Sequence, residues 1–308
     1  MQQRLLARPD LLPTLALLFA GAAWGLFWIP MRAIEASGLE GVWATMALYG
    51  VSLLILFPVA LWRWPSRGGL GRGALLTGLF TGSAFVFYAT AFLLTDVVRV
   101  MILFYATPVW GTLLAWLLMG EKITRLRLLA LLFGFGGLLV ILGADFGWPW
   151  PRNLGDWMAL LSGIAWAYGS LRLYRAKGSS TWDAVLGLFL SGFVFAAVLP
   201  FLPFQGLGAM PPAASLLQTW PIILATSALF FLPLMAVSLW GTGRLTPGRV
   251  GILFMLEVVV GVGSAALLTD EPFGIREIAG SLLILSAGLV ELLPSRRKAD
   301  SLPEQASP

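Results

Sequence analysis

The chain has 308 residues, of which 58% are hydrophobic and 11% charged, with a mean hydropathy of +0.87; a soluble domain carries about 25% charged residues, so the composition is that of a polytopic membrane protein. There is no Cys and no His, which excludes disulfides, thiolate chemistry, Cys/His metal sites and imidazole acid–base catalysis. The formal charge of +5 is read as membrane topology, and no nucleic-acid partner is expected.

In chain order, apolar runs bounded by charge predict spans near 11–31, 42–62, 74–95, 99–119, 128–144, 156–174, 184–203, 217–240, 247–268 and 278–293. Each is close to the roughly 20 residues that cross a bilayer. The first run, Leu11 to Ile29, is longer than a signal-peptide core and lacks a small-residue cleavage site, so it is kept as a helix. With the loops assigned to alternate sides, 16 Lys and Arg fall on the side of the N-terminus, and only Arg32, Arg99, Arg152 and Arg276 on the other. The positive-inside rule then puts both termini in the cytoplasm. Trp43, Trp62, Trp64, Trp148, Trp150, Trp182, Trp220 and Trp240 fall at helix ends and read as interfacial anchors. Gln205 to Leu216 is the longest outside loop, and Ser295 to Pro308 a polar cytoplasmic tail without chemistry.

Shifting the chain by 150 residues places Leu79-Phe80 on Leu229-Phe230, Arg99-Val100 on Arg249-Val250, Ile102-Leu103-Phe104 on Ile252-Leu253-Phe254, Gly111 on Gly261 and Glu121 on Glu271. Leucine matches are nearly free in an apolar chain, but two ionic residues and a glycine in one register are not, and fixed-period similarity marks a duplication. A shorter match at an offset of 142 places Gly21-Ala22-Ala23-Trp24 on Gly163-Ile164-Ala165-Trp166. Each unit holds five helices, and an odd number orients the copies oppositely, as in the inverted repeats of secondary transporters, which bind substrate near the midplane. The fold class expected is therefore an all-α polytopic membrane protein of ten transmembrane helices in two inverted five-helix repeats. Residues 1–10 form a cytoplasmic N-terminus, 11–144 the first repeat, 145–155 a periplasmic linker, 156–293 the second repeat and 294–308 the tail.

The motifs Ala22-Ala23-Trp24-Gly25, Pro108 to Glu121, its echo Leu256 to Glu271, and the glycine-rich Gly134 to Leu139 carry a resemblance to the drug/metabolite transporter superfamily, EamA type, from about residue 11 to 293. In aromatic content the chain is similar to the YddG amino-acid exporters. That resemblance implies an exporter of aromatic and other neutral amino acids. Two departures stand out. Leu256-Glu257-Val258 replaces Ala106-Thr107-Pro108, so no second helix break is expected, and Trp166 is followed by Ala167 rather than Gly.

Glu257 lies eight residues beyond Arg249, about 12 Å into a hydrocarbon layer about 30 Å thick. At that depth a carboxylate serves as a counter-charge for an ammonium group, as a protonatable coupling site, or as a neutral packing group. Trp24 and Trp166, at equivalent repeat positions, either line a substrate cavity or fill the bundle core. Tyr88 and Tyr105 suit an amphiphilic solute, with Tyr49 and Tyr168 as weaker candidates. Ser83, Thr107 and Ser238 can bond a substrate carboxylate or their own helix backbone. Pro108 is a candidate hinge. Gly78/Gly82, Gly134/Gly137 and Gly261/Gly263 are read as sites of close helix approach, Glu121 and Glu271 as caps or latches, and Arg99 and Arg249 as snorkelling anchors with gate ion pairs as the alternative.

With no His and a single deep carboxylate, an intramembrane enzyme is excluded, and without a nucleotide motif so is ATP-driven pumping. A channel would show charge rings or a filter motif, and nucleotide-sugar transport a midplane cationic cluster. No cofactor is expected. The partners expected are a small-molecule substrate, an amino acid or related metabolite, and the lipid bilayer; the oligomeric state is open, a homo-oligomer included. Helical spans place the chain in the bacterial inner membrane, because outer-membrane proteins are barrels. A proton-coupled exporter of cationic drugs or other small metabolites is the alternative function.

Overall fold

The structure, a computed structural model, describes residues 10–292 apart from 40, 68–69, 96, 143–149, 177–179, 204–206, 208 and 269–273. Among the described residues it is all-helical, with no strand. Helices α1 (Leu11–Gly25) and α2 (Trp28–Ala36) form one rod broken at Leu26 and Phe27, followed by the unbroken α3 (Val42–Arg67) and α4 (Arg72–Leu94). A second broken rod comprises α5 (Val97–Phe104) and α6 (Thr107–Met119), and α7 (Arg125–Leu142), α8 (Leu154–Arg175) and α9 (Thr181–Val198) come next. Helix α10 (Ala213–Ala225) passes through a π-helical turn, Thr226–Phe231, into α11 (Leu232–Thr242). Helices α12 (Pro247–Phe254) and α13 (Leu256–Leu268) meet at Met255, and α14 (Ile275–Leu292) closes the bundle.

Among the described residues, seven rods of this multi-pass membrane protein are long and apolar enough to cross a bilayer: Leu11–Ala36, Val42–Arg63, Arg72–Phe92, Arg99–Met119, Thr181–Phe201, Ala213–Thr242 and Pro247–Leu268. The other three expected spans, 128–144, 156–174 and 278–293, coincide with α7, α8 and α14. The bundle is turned inside out relative to a soluble protein. Leu217, Leu229 and Leu267 are 79%, 81% and 86% exposed, whereas hydroxyls are buried and bonded to their own helices, as Thr81 Oγ1 donates to the Thr77 carbonyl at 3.0 Å and Thr90 Oγ1 to that of Val86 at 2.7 Å. In hydrocarbon this satisfies the hydroxyl without a water.

Small residues set the closest helix crossings. A Cβ on Gly82 of α4 would meet the Leu188 carbonyl at 2.6 Å, and Cβ atoms on Gly137 (α7) and Gly280 (α14) would each meet the other residue's carbonyl at 2.5 Å. These bear out close approach at Gly82 and Gly137. Gly263, however, has nothing within 4 Å of a Cβ, and at Gly261 the close crossing depends on the other partner, since a Cβ on Gly25 of α1 would lie 2.8 Å from the Gly261 nitrogen while one on Gly261 would have only ordinary contact at 3.5 Å.

The second helix break, not expected from the sequence, is present at Met255. In the first broken rod the cause is Pro108: it has no N–H to give the Phe104 carbonyl, which instead accepts from Thr107 Oγ1 at 2.5 Å. In the rod of α12 and α13 no proline is needed. The chain tightens into bonds three residues apart, Met255 N–H to the Ile252 carbonyl at 3.2 Å and Val258 N–H to that of Met255 at 3.1 Å, the 3₁₀ pattern of a helix under tertiary strain. What imposes it is the crossing of the two broken rods, where a Cβ on Gly251 would lie 2.8 Å from Pro108 Cα and one on Gly111 would lie 2.7 Å from the Pro247 carbonyl carbon. Tyr105 and Met255, at the two breaks, stand 150 residues apart, the offset of the duplication.

Candidate functional site

Helix α1 runs along the second break and α8 along the first. A Cβ on Gly21 would meet the Leu253 carbonyl at 3.1 Å and Phe254 Cα at 3.4 Å; one on Gly163 would meet the carbonyls of Phe104 at 2.8 Å and Leu103 at 3.5 Å. Gly25, at the end of α1, is tighter still, with the Glu257 carbonyl 2.6 Å from a Cβ. The breaks therefore carry Glu257, in the first turn of α13, to the middle of the bundle.

Glu257 is half-buried. The titratable groups facing its carboxylate are the hydroxyls of Tyr88 from α4 and Tyr105 from the first break, and among the described residues no Lys or Arg forms an ion pair with it. Tyr105 is 1% exposed and its hydroxyl has no partner at hydrogen-bond distance. Phe104 packs 4.2 Å from the Tyr88 ring and 5.1 Å from that of Tyr105. Beside them, Tyr105, Pro108, Val109, Leu131, Phe135, Ile252 and Met255 line a narrow crevice. Glu257, Tyr88 and Tyr105 are thus brought together.

Trp24 is buried, donates from Nε1 to Ser238 Oγ at 3.1 Å and packs among Phe27, Phe85 and Phe231 at 5.2, 5.3 and 6.1 Å. Phe27, in the α1–α2 break, stacks on both Phe230 and Phe231 at 5.8 Å, two consecutive residues at the end of the π-helical turn. In this conformation the aromatic centre is filled by its own rings. Trp166 is buried beside Phe254, 6.0 Å between ring centres. Tyr168 packs at 4.6 Å on Phe80, apart from Glu257, and Tyr49 is buried against Phe189 and Phe231. The hydroxyls of Ser83 and Thr107 bond carbonyls of their own rods, those of Phe80 and Phe104. Phe27, Phe85, Phe230 and Phe231 were not foreseen, and among 20 phenylalanines no local signal marks them.

Arg99 is a buried ion pair rather than a snorkelling anchor. Its Nη2 lies 2.5 Å from Asp156 Oδ2, its Nε 3.0 Å from both carboxylate oxygens, and Nη2 also donates to the Trp150 carbonyl at 2.7 Å. Thr95 Oγ1 and the Arg152 N–H, both at 2.8 Å, complete the shell of Asp156. Its repeat mate Arg249 lies 3.7 Å from Asp10, which is 56% exposed. Both pairs tie the start of a broken rod to the start of the helix alongside it, α5 to α8 and α12 to α1. Glu121 follows Gly120, whose φ of 67° ends α6; Glu271 lies outside the described residues.

Residues 11–143 match the EamA-like transporter family. The chain is 27% identical over 290 residues to a protein of Escherichia coli strain K12 named "Probable amino-acid metabolite efflux pump", covering 90% of this chain and 93% of that one. It is 28% identical over 280 residues to a protein of the same name from Salmonella typhimurium, covering 86% and 89%. A solved crystal structure superposes with a TM-score of 0.69 over 94% of this chain and 99% of the other at 18% identity, which shows a common fold.

Proposed function

We propose that this chain, which belongs to the EamA-like transporter family and so is a transporter and not an enzyme, is a secondary carrier that exports amino acids and related metabolites, aromatic and neutral ones among them. It works by alternating access between two inverted repeats of five transmembrane helices. The observation that carries this reading is the recurrence of one packing unit. Gly21 on Leu253 and Phe254, and Gly163 on Leu103 and Phe104, are the same contact made twice, related by the two offsets of the duplication. The family match ends at residue 143, one residue before the expected end of the first repeat, 144.

The substrate site lies where the breaks meet, with Glu257, Tyr88 and Tyr105 as its polar groups, Trp24 and Trp166 as flanking indoles, and Pro108 as the hinge of the first rod. Broken helices at a repeat interface are where carriers bind substrate. The packed aromatic centre is then an occluded conformation, and opening separates the Phe27 stack from Phe230 and Phe231. The cargo class is supported by the names of the relatives and by the rings near Glu257. The distribution of Lys and Arg supports an inner-membrane location with both termini cytoplasmic.

Purified protein in liposomes, assayed with labelled aromatic, neutral, basic and acidic amino acids and with a cationic dye, tests this reading. Saturable amino-acid flux is expected. Dye flux alone replaces it with drug export, and no flux of any solute removes the carrier reading.

A further inference from the structure

We infer that Glu257, framed by the hydroxyls of Tyr88 and Tyr105, is an ammonium site that takes its cargo in exchange for a proton, so that decarboxylated or carboxyl-capped amino-acid derivatives are held in preference to free amino acids. The inference rests on the carrier reading for its location and adds the charge of the cargo and the ion exchanged against it.

The argument is one of charge balance. A carboxylate in a low-dielectric interior requires either a proton or a cation at close range. Among the described residues the protein supplies no cation to Glu257. The titratable groups facing it, Tyr88 from α4 and Tyr105 from the α5–α6 break, are neutral phenols, and α1 presents the backbone of Gly25. The missing charge comes from outside the protein. An ammonium group supplies it with three N–H donors, enough for the carboxylate and a phenol oxygen. The Tyr105 hydroxyl, buried and without a partner, has an unused acceptor, and the faces of Tyr88 and Phe104 add cation–π attraction.

The exchange balances. In the empty site the carboxyl group keeps its proton; when the ammonium group arrives, that O–H bond breaks, the proton leaves to water and the carboxylate pairs with the cation. Either way the site stays neutral. A free amino acid brings a carboxylate of its own, which finds no Arg or Lys among the described residues that face Glu257 and lies beside Glu257 with the same sign. Removing or capping that carboxylate removes the repulsion.

Three ligands with one ring test this: phenethylamine, with only the ammonium; L-phenylalanine, with both charges; and 3-phenylpropionate, with only the carboxylate. Binding to the purified full-length protein is measured by titration calorimetry in buffers of different ionisation heat, which counts protons released. Phenethylamine should bind with release of a proton. Phenylalanine should bind about tenfold or more weakly, because a charge is left unpaired, and phenylpropionate not at all. Glu257→Gln should abolish both amine binding and proton release while the protein stays monodisperse, and Glu257→Asp should keep the order of ligands. Equal binding of the three, amine binding without proton release, proton release that survives Glu257→Gln, or no binding by any of them overturns the inference. Proteoliposome flux separates it from the reading beneath it. Amine binding with proton release but no flux of any solute removes the carrier and keeps the site, whereas saturable amino-acid flux with no preference for the amine keeps the carrier and removes the site.

Discussion

Asp156→Asn should open the face of the bundle that Arg99 holds shut. Arg99 and Asp156 are 8% and 0% exposed at the side chain and 2.5 Å apart. The asparagine keeps the shape, and leaves a guanidinium buried without its counter-charge, a loss of about 3–5 kcal/mol. When that face opens, water solvates Arg99 and the loss vanishes, so the closed conformer alone is destabilised. Its repeat mate gives the internal comparison: Arg249 and Asp10 are 3.7 Å apart with Asp10 56% exposed, a pair worth about 0–1 kcal/mol. The difference of about 3 kcal/mol corresponds to about a hundredfold in the closed-to-open ratio. Because the chain has no Cys, a single reporter suffices. Ala91, fully buried one turn before the Thr95 that donates to Asp156 at 2.8 Å, is changed to Cys, and its rate of alkylation by a membrane-impermeant maleimide is measured. Asp156→Asn should raise that rate by up to about a hundredfold, and Asp10→Asn should change it by no more than about twofold. An unchanged rate in Asp156→Asn, or an equal rise in Asp10→Asn, refutes the reasoning.

Gly137→Ala and Gly280→Ala should each cost about 1–3 kcal/mol, since either Cβ meets the opposite carbonyl at 2.5 Å, whereas Gly263→Ala, with nothing within 4 Å, should be neutral or stabilise by up to about 1 kcal/mol; thermal denaturation of the purified variants checks this, and equal losses at all three would refute the packing argument. Cysteines replacing the exposed Ala176 and Ala214 should be labelled from opposite sides of the membrane. Labelling from one side would sink the ten-span topology.

The spans were legible because crossing a bilayer is a one-dimensional constraint that each segment meets alone: the expected 247–268 is the observed Pro247–Leu268, and 99–119 begins two residues inside α5 and ends with α6. The breaks were legible only where a residue announces one. Pro108 does. Leu26, Phe27 and Met255 do not, since those bends arise where Gly21, Gly25 and Gly251 admit another rod's backbone, and such contacts join residues more than 100 apart. Glu257 was visible as a charge in an apolar run, and Tyr88 and Tyr105 as amphiphilic rings; that the three face one another is written in no local pattern. Arg99 is visible in the sequence without Asp156, because no local pattern joins an arginine to a carboxylate 57 residues away.

The two halves matched at the 150-residue offset share a sequence register but not a local conformation. Both broken rods bend at equivalent residues, and both lie against a glycine of the helix beside them, Gly21 or Gly163. Yet α1 is interrupted before Trp28 while its counterpart α8 runs unbroken from Leu154 to Arg175, and α10 and α11 are joined by a π-helical turn while their counterpart α4 is continuous. One ion pair is closed and buried, the other long and exposed. On the proposed inverted-repeat reading, two halves that settle into different conformations define two structures of the whole molecule, because exchanging the conformations between them would yield an arrangement facing the opposite way. In that exchanged state the Arg249–Asp10 pair would close and the Arg99–Asp156 pair would lengthen. Position 107, 150 residues before Glu257, holds Thr and not an acid, so the charge that the proposed exchange would balance belongs to one half of the chain alone.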